Sequence, residues 1–308
     1  MNGIFGNIEV GERFFIRNLV VYPLVYKGDN GLDPMLSLEE SINKGFLELE
    51  DIYGVNSIGV SNRGDLSVLM IEGESLVGAR QDRILNSTAI LEPEVETVLP
   101  VSCIEQNRWT GDRSFSSSIA LAFPSLRSIL RSSVSQNLKT KKKREANQEA
   151  IWNEVKKTLT ITKTKSMTLS MHDAYNSLKD EIERYLEERG ELYNIYGYMT
   201  FVQDRFVSLD VFSSYDLLKK YERKLFESYA IQGILSRYGL QDIKKTNLSP
   251  DNISELDSLK YENYFGVSSG KELRYTGNDI LVEVSLDKEE RFVYASVLPA
   301  PDTESAVV

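Results

Sequence analysis

The 308-residue chain has one cysteine, one histidine and two tryptophans, and the first two shortages each exclude a class of chemistry. A single cysteine cannot form an internal disulfide, and it is compatible with a reducing compartment. With so few histidine and cysteine ligands we expect no zinc site, and the sequence identifies no metal-ligating residues and no particular cofactor. Any reaction at this protein should therefore depend on carboxylates, arginines and amides, and a Mg²⁺ ion held by carboxylates stays open as an addition to them.

The chain also lacks an excess of basic charge and any long apolar run. Its 36 Lys and Arg stand against 46 Asp and Glu, a net charge of -10, which argues against nucleic acid as a general partner. No segment approaches the ~18 consecutive apolar residues that a membrane span needs. The first residues lack the basic and apolar regions of a signal peptide. These absences predict a cytoplasmic protein with no membrane partner, of unspecified oligomeric state.

The apolar periodicity of the chain predicts an α+β protein. Residues 10–110 and 195–298 contain short segments with the two-residue period of strands, whereas residues 139–192 show the 3.6-residue period of helices. We expect a single domain over residues 1–308, in which hairpins build a sandwich- or barrel-like, β-rich core and the helical segment is inserted and packed against it. The tail over 299–308 is expected to be disordered.

Several elements are predicted in detail. The predicted strand pairs are 66–71 with 75–80, 87–91 with 95–101, 195–202 with 205–212, and 280–286 with 291–298. Three of these pairs share an apolar rhythm, which indicates either a repeated hairpin or only the pattern common to hairpins. The predicted helices are 38–44, 147–158, 173–188 and 213–238, with 242–258 as a loop. The second of these should carry Ile151, Trp152, Val155 and Leu159 on one apolar face. Ser37 and Glu40 are spaced as a capping box for the first helix, and Pro23 should interrupt the strand over 12–27.

Residues 67–109 place polar side chains between short apolar strands. The candidate ligand-binding residues in this segment are Arg80, Gln81, Arg83, Asn86, Ser102, Glu105, Gln106 and Arg108. Such groups lose hydration when strands pack, so they must bond to one another or to a ligand. The predicted pairing of 87–91 with 95–101 returns the chain beside its own start. We therefore expect Gln81, Arg83, Glu105 and Gln106 to lie in one polar cluster.

The two motifs around this cluster carry a family resemblance. They are Ile71-Glu-Gly-Glu-Ser-Leu-Val-Gly-Ala-Arg-Gln-Asp-Arg-Ile-Leu-Asn-Ser and Leu99-Pro-Val-Ser-Cys-Ile-Glu-Gln-Asn-Arg-Trp. The chain resembles the prokaryotic ADP-ribosylglycohydrolase- and rhodanese-phosphatase-associated protein domain family over about residues 12–240. Where the family motif often has Lys-Gln-Asn-Arg, this chain has Arg80-Gln-Asp-Arg83, and its usual Gly is Asn107. The resemblance implies an ADP-ribose- or NAD-derived small molecule as partner, through the neighbouring genes that give the family its name.

Arginine and carboxylate side chains in the cluster admit two interpretations each. The planar fork of Arg83 suits a phosphate, but Arg83 could equally form a buried ion pair with Glu105. Glu105 and Asp210 are the candidate catalytic carboxylates. Glu105 stands beside the amide of Gln106, and such a pair can position a water molecule or a ribose hydroxyl. Asp210 stands inside an otherwise apolar strand, where a carboxylate is rare unless it is paired. The alternative for Asp210 is that its carboxylate bonds the backbone amides of the following helix.

Four other features are interpreted as structural, with a functional alternative for each. We interpret Cys103 as a small core residue rather than a nucleophile, and Trp109 as core rather than a platform for a base. His172 is interpreted as a solvated or capping residue rather than a catalytic base. The basic run 139–144 is interpreted as solvated surface rather than a site for an anionic partner.

Two functions remain open from the sequence. One is a protein that binds or processes an anionic nucleotide-like ligand linked to ADP-ribose or NAD metabolism. The other is a non-catalytic protein-interaction module in which the polar cluster is an internal clasp. Whether the protein is an enzyme is left undecided, since no complete catalytic arrangement can be identified.

Overall fold

The structure is a computed structural model that describes residues 3–28, 31–52, 54–117, 119–238 and 244–301. The strands are β1 (Ile8–Val10), β2 (Phe14–Ile16), β3 (Leu19–Tyr26), β4 (Leu36–Ser37), β5 (Leu47–Asp51), β6 (Ser57–Asn62), β7 (Val68–Met70), β8 (Ser75–Gly78), β9 (Arg83–Leu85), β10 (Ala89–Leu91), β11 (Glu96–Cys103), β12 (Phe115–Ser117), β13 (Gly197–Val202), β14 (Arg205–Phe212), β15 (Glu262–Phe265), β16 (Lys271–Thr276), β17 (Ile280–Leu286) and β18 (Phe292–Pro299). The α-helices are α1 (Leu38–Asn43), α2 (Pro124–Lys141), α3 (Gln148–Ile161), α4 (Met171–Ser177), α5 (Lys179–Glu187) and α6 (Tyr215–Arg237). Short 3-10 helices span Phe5–Asn7 and Pro250–Ser258.

These strands form three sheets. The largest has the order β1-β3-β13-β14-β18-β17-β16-β15, with β2 also paired to β3. A second has the order β12-β8-β9-β11-β6-β5, and a third has the order β10-β7-β4. The fold contains a nearly closed, barrel-like sheet with helices packed on it, so the prediction of an α+β protein with a β-rich core is confirmed. No helix in the described ranges is long and apolar enough to cross a membrane.

Two predicted strand pairings are wrong. β7 pairs with β10 and β4, and β8 pairs with β9 and β12, so 66–71 and 75–80 form no hairpin. Likewise, β11 pairs with β6 and β9 rather than with β10. The physical reason is burial: β7, β9 and β10 are buried along their whole length, so alternation gives no information on their neighbours. The repeated-hairpin interpretation therefore loses its first member, whereas the β13–β14 and β17–β18 pairs are present.

Residues 12–27 form two strands, β2 and β3, but the break lies at Arg17 and Asn18 and Pro23 is inside β3, so the predicted interruption at Pro23 is wrong. β3 is paired with β13 from Leu19 to Leu24, including Pro23 opposite Tyr198. On the other side of β3, the pairing with β1 ends at Leu24 and the pairing with β2 begins at Val21. Pro23 thus lies where the edge changes from one partner strand to the other, and a missing backbone N–H is tolerated there.

The helices include one that periodicity did not predict. α2 begins at Pro124 and buries an apolar stripe of Leu126, Leu130, Val134 and Leu138. Beside this stripe it also buries two arginines and two serines: Arg127, Ser128, Arg131 and Ser135. The predicted helices at Ser37 with its capping box, at 147–158 and at 213–238 are present. The helix predicted over 173–188 is two helices, α4 and α5, which meet at Leu178.

The C-terminal third has more structure than expected. β15 and β16 were not predicted, and the 3-10 helix Pro250–Ser258 lies in the predicted loop. Pro299 ends β18, and the Ala300 backbone N–H donates to Asp279 O, so the prediction of a disordered tail is wrong for these two residues. The rest of that tail, residues 302–308, lies outside the described residues.

The core positions the polar cluster between the sheets and the helices. α2 packs against β16, β17 and β18 and against α3 and α6, and α3 packs against β11. One apolar cluster fills the side of the largest sheet that faces away from α2, and another lies between the two smaller sheets. The β8–β9 turn and the end of β11 are therefore held beside the start of α3.

Candidate functional site

The polar cluster is built on the β9–β11 ladder. Arg83 in β9 lies opposite Cys103 in β11, and the Gln81 side chain donates through Nε2 to the Glu105 carbonyl at 2.7 Å. The backbone N–H of Ile104 donates to the Asp82 carbonyl at 3.1 Å. The expected convergence of the two motifs is therefore present, although β9 produces it rather than the pairing of 87–91 with 95–101.

An internal clasp uses the Glu105 half of the cluster. Arg108 donates from Nε to Glu105 Oε2 at 2.7 Å and from Nη2 to Asp82 Oδ1 at 2.8 Å. The Asp82 backbone N–H donates to the same Glu105 oxygen at 3.2 Å. Arg80, also a predicted ligand residue, pairs with Asp51 at 2.9 Å. The proposed ion pair between Arg83 and Glu105 is thus wrong, because Arg108 takes the Glu105 carboxylate.

His172 belongs to the same clasp and is not a solvated residue. It is buried, and its Nδ1 lies 2.8 Å from Asp82 Oδ2. Burial raises the pKa of Asp82, but the hydrogen bond and charge of His172, a backbone N–H and Arg108 outweigh it and hold that pKa below its usual value. The clasp therefore joins the β8–β9 turn to α4 through Asp82.

Arg83 is the exception in this cluster, because no carboxylate of the described residues pairs with it. Its side chain is 0% exposed, and Nη1 donates to Gln81 Oε1 and to Cys103 Sγ, both at 2.9 Å. Its Nε and Nη2 have no hydrogen-bond partner within the described part of the chain, and no carboxylate there lies within 4.0 Å. By contrast, the other fully buried arginines among those residues each pair with a carboxylate: Arg127 with Asp210, Arg131 with Glu72, and Arg274 with Glu272.

A pocket of about 350 Å³ is bounded by Gln81 and Cys103, the two acceptors of Arg83, whereas Arg83 itself is not part of its lining. It is lined by Val55, Asn56, Gln81, Cys103, Gln106, Trp109, Gln148 and Trp152. Both tryptophans of the chain are in this lining. The Trp109 ring is 49% exposed, and the guanidinium carbons of Arg80 and Arg83 lie 5.2 and 5.8 Å from its centre. Trp109 is therefore not a core residue, and the expectation that it would be is wrong.

Trp152 contributes a second unused donor to the pocket. Periodicity placed it on the inner face of a helix, and α3 indeed carries it. Its indole Nε1 is buried and has no acceptor among the described residues. A buried N–H without a partner is costly, so it indicates either a ligand acceptor or local adjustment.

Cys103 is held rigidly in the wall of the pocket. Gln148 accepts from the Cys103 backbone N–H at 2.8 Å and donates to its carbonyl at 2.7 Å. Burial raises the pKa of the Cys103 thiol, and the positive charge of Arg83 opposes that rise only in part. The thiol is thus buried and protonated, which fits the structural interpretation better than a nucleophile.

Two predicted ligand residues lie away from the pocket. Ser102 Oγ donates to Asn86 Oδ1 at 2.7 Å, and Asn86 Nδ2 donates to the Arg144 carbonyl at 2.9 Å. This arrangement fastens the connection between α2 and α3. Within the basic run, Lys139 and Arg144 pair with glutamates of β15 and β16, which supports a surface role rather than an anionic partner.

Asp210 is the centre of a buried network that the sequence did not reveal. Arg127 Nη2 donates to its Oδ1 at 2.8 Å, and the hydroxyls of Tyr229 and Tyr294 donate at 2.7 and 2.6 Å. Burial raises the pKa of Asp210, but Arg127 outweighs burial and lowers it to about 2. Asp210 therefore bonds side chains rather than helix amides, and its saturated carboxylate is a poor catalytic candidate.

A second buried group adjoins the first. Arg131 pairs with Glu72 at 2.8 Å, and Arg274 pairs with Glu72 at 3.1 Å and Glu272 at 2.5 Å. These residues come from distant parts of the sequence, and Arg131 lies on α2, which was not predicted. In the sequence, only the unusual presence of charged residues within apolar strands could have indicated this group. In the described ranges, no three His, Cys, Asp or Glu side chains are placed to hold a metal ion.

Fold and site together define an α+β protein with a small, tryptophan-lined pocket, behind whose wall a buried arginine has no carboxylate partner in the described part of the chain. The chain belongs to the ARPP-1 family, the ARG and Rhodanese-Phosphatase-superfamily-associated Protein domain, whose family model matches residues 7–298. Comparison with curated proteins and with solved structures gave no match. The association of the family with ADP-ribosylglycohydrolase and rhodanese-phosphatase fits an ADP-ribose-linked context.

Proposed function

We propose that the tryptophan pocket binds an anionic nucleotide-like ligand derived from ADP-ribose or NAD. The observation that carries this proposal is the buried Arg83, whose guanidinium has two unbonded donor nitrogens and no carboxylate within the described part of the chain. A buried charge of this kind is costly unless an anion neutralises it. A phosphate accepts two parallel N–H bonds from one guanidinium, which fits the two free donors.

The remaining lining suits the planar part of such a ligand. Trp109 and Trp152 offer aromatic surface for a base, and the Trp152 Nε1 offers a donor to an acceptor on its edge. Of the amides, Gln81 and Gln148 are engaged with the protein, which leaves Asn56 and Gln106 to recognise polar groups of the ligand. Because Arg83 lies under the half-exposed Trp109, this ring has to move before a phosphate reaches it.

Intrinsic fluorescence tests this proposal directly, because both tryptophans of the chain line the pocket. ADP-ribose, NAD, AMP and inorganic phosphate are titrated into the protein, with free tryptophan as the inner-filter control. We expect saturable quenching by at least one nucleotide. Thermal melts in parallel should show about 2.7 kcal/mol of stabilisation when that ligand is present at 100 times its Kd.

Substitutions then locate the ligand. Trp109→Phe and Trp152→Phe each leave one reporter, and each should retain part of the quenching. Arg63→Gln, a change at a half-exposed surface arginine, is the control and should bind as the wild type does. If no nucleotide changes the fluorescence or the melting temperature, the proposal fails.

A second candidate function rests on the internal clasp. Glu105, Arg108 and Asp82 saturate one another, so this half of the cluster needs no ligand. That observation favours a protein-interaction module in which the polar cluster is structural, and a negative fluorescence titration would support it. In either case we propose a single-domain, cytoplasmic protein.

A further inference from the structure

The loop that carries Trp109 crosses the β8–β9 turn on its way from β11 to β12. Each residue of this Trp109 loop (residues 106–112) is exposed except Arg108, whose side chain is 24% exposed. The Trp109 ring lies over two guanidinium groups, and its centre is 5.2 Å from the central carbon of Arg80 and 5.8 Å from that of Arg83. The ring thus covers the guanidinium whose Nε and Nη2 have no partner among the described residues.

Arg108 fastens this loop to the turn beneath it. Its Nη1 donates to the Ala79 carbonyl at 2.8 Å, and its Nη2 donates to the Gly78 carbonyl at 3.3 Å and to Asp82 Oδ1 at 2.8 Å. Its Nε donates to Glu105 Oε2 at 2.7 Å. One partly exposed side chain therefore bonds three residues of the turn and a carboxylate just after β11.

The turn that Arg108 holds is strained. Gly78 has a φ of 116° and Ala79 has a φ of 47°, and this left-handed region is unfavourable for an alanine. The Trp109 loop contacts the turn at the same point, because a Cβ added at Gly111 would lie 2.3 Å from the Ala79 carbonyl oxygen. Both carbonyls of the strained pair accept from Arg108, so release of Arg108 would allow Ala79 to leave the left-handed region.

Release of Arg108 would leave its two carboxylate partners with other donors. Asp82 keeps the Gly78 backbone N–H at 3.0 Å and His172 Nδ1 at 2.8 Å. Glu105 Oε2 keeps the Asp82 backbone N–H at 3.2 Å. The rearrangement can therefore stay local, and an exposed loop fastened by one side chain opens at a lower free energy than the fold as a whole.

We propose that the Trp109 loop is a lid over Arg83 and that Arg108 is its latch. The structure shows the latched state; when the latch opens, the Trp109 ring leaves Arg83 and an anion reaches Nε and Nη2. Gln81 holds the guanidinium in place during this step, because it bonds Arg83 Nη1 and the Glu105 carbonyl without any atom of Arg108. What the lid admits rests on the function proposed above, whereas the latch is a property of the protein without ligand.

Hydrogen exchange of the protein without ligand tests the latch. The reporters are the backbone amides of Asn107 and Ala79, each of which donates to a backbone carbonyl. Arg108→Lys keeps the charge but cannot span the acceptors that the guanidinium fork bonds, so both amides should exchange about ten-fold faster than in the wild type. The Ala122 amide, which is bonded in the same way, is the control for folding and should not change. Unchanged exchange at both reporters, or equal acceleration at all three amides, would overturn the proposal.

Association kinetics separate a latch from an arginine that only supports the fold. Stopped-flow tryptophan fluorescence with AMP as the probe measures the association rate, which is proportional to the fraction of open molecules if the lid opens first. Arg108→Lys should then bind AMP about three- to ten-fold faster than the wild type, although it loses hydrogen bonds. Slower association in this variant would overturn the proposal.

A glycine substitution should act in the opposite direction. Ala79→Gly relieves the strain of the latched turn, so it should lower the open fraction and slow AMP association about two- to five-fold. Glu94→Gly, at an exposed residue that also has positive φ, is the matched control and should bind as the wild type does. If Ala79→Gly behaves as Glu94→Gly does, the lid is refuted. If AMP does not bind to the wild type, the failure lies with the proposed function, and the exchange result decides the lid.

Discussion

Replacing Arg83 with methionine should affect folding very differently from the same change at Arg127. Both side chains are fully buried, and methionine offers a similar length without charge. Arg127 is paired with Asp210 at 2.8 Å, whereas Arg83 has no carboxylate partner in the residues that the structure describes. Each substitution thus removes a guanidinium from a fully buried position. They differ in whether a buried carboxylate is left without its partner.

The expected magnitudes follow from that difference. Arg127→Met leaves the Asp210 carboxylate buried and unpaired, which costs about 3–5 kcal/mol. Arg83→Met removes a charge whose burial itself costs several kcal/mol, and it leaves Gln81 Oε1 without its donor, a loss of about 1–3 kcal/mol. The two terms for Arg83 nearly cancel or favour the variant. We therefore expect Arg83→Met to unfold within about 1 kcal/mol of the wild type, or to be more stable.

Equilibrium unfolding in urea without ligand measures both effects, with the slope of each transition checked against the wild type. In the fluorescence titration, Arg83→Met should lose at least about ten-fold in nucleotide affinity, since a charge-assisted hydrogen bond contributes about 1.5–3 kcal/mol. If Arg83→Met is as unstable as Arg127→Met, Arg83 is a structural residue and the reasoning is refuted. Normal binding by a folded Arg83→Met protein would refute it equally.

Three further outcomes concern the rest of the molecule. Burial, with a contribution from Glu283, raises the pKa of Glu72 to about 7 from 4.5. The native state therefore binds an extra proton, and the free energy of unfolding should decline as pH rises between these values. Urea unfolding at about pH 5 and about pH 8 should show this decline in the wild type and not in Glu72→Gln. Burial raises the pKa of Asp210 but Arg127 lowers it to about 2 from 3.8, so about 2 kcal/mol of stability should be lost as pH falls through this range, and acid titrations of Asp210→Asn should lack that loss. Ser37→Ala removes the side-chain half of the capping box of α1 and should cost about 1 kcal/mol, measured as a lower urea midpoint; an unchanged midpoint would contradict the role of the cap.

Elements that depend on short-range sequence patterns could be predicted from the sequence. The capping box of Ser37 with Glu40 was predicted and is present, and the alternation in 195–212 and 280–298 leads to the hairpins β13–β14 and β17–β18. Short-range patterns did not predict the partners of strands that are completely buried. β7 and β8 follow one another closely but join different sheets, and β7, which is buried on both faces, carries no alternation that would define its partner.

α2 was missed although its apolar stripe is present in the sequence. Leu126, Leu130, Val134 and Leu138 recur at every fourth position, and Pro124 stands in the first turn, which is typical of a helix start. What periodicity of apolar residues could not reveal is the burial of Arg127 and Arg131 beside that stripe. Their carboxylate partners, Asp210 and Glu72, are distant in sequence, and only the three-dimensional pairing explains why these arginines are buried.

The sequence indicated where the candidate site lies, but it did not show that the residues around Glu105 and those around Arg83 form two distinct parts. Polar side chains between apolar strands indicated Gln81, Arg83 and Glu105 correctly as neighbours. Which arginine would take the Glu105 carboxylate depended on geometry, and Arg108, three residues along, is better placed than Arg83. Trp152 was interpreted only as part of an apolar helix face, because nothing local shows that α3 begins beside β11.

The cluster has one half whose hydrogen-bonding groups are satisfied, around Glu105, and one half with unused donors, around Arg83, and the first half positions the second. Gln81 is bonded on one side to the Glu105 carbonyl and on the other to Arg83 Nη1, so the clasp fixes the position of the guanidinium before any ligand arrives. A preorganised donor loses less entropy on binding than a mobile one. The cost of holding Arg83 dry and unpaired is then borne by the rest of the fold, and an anion in the pocket would relieve it.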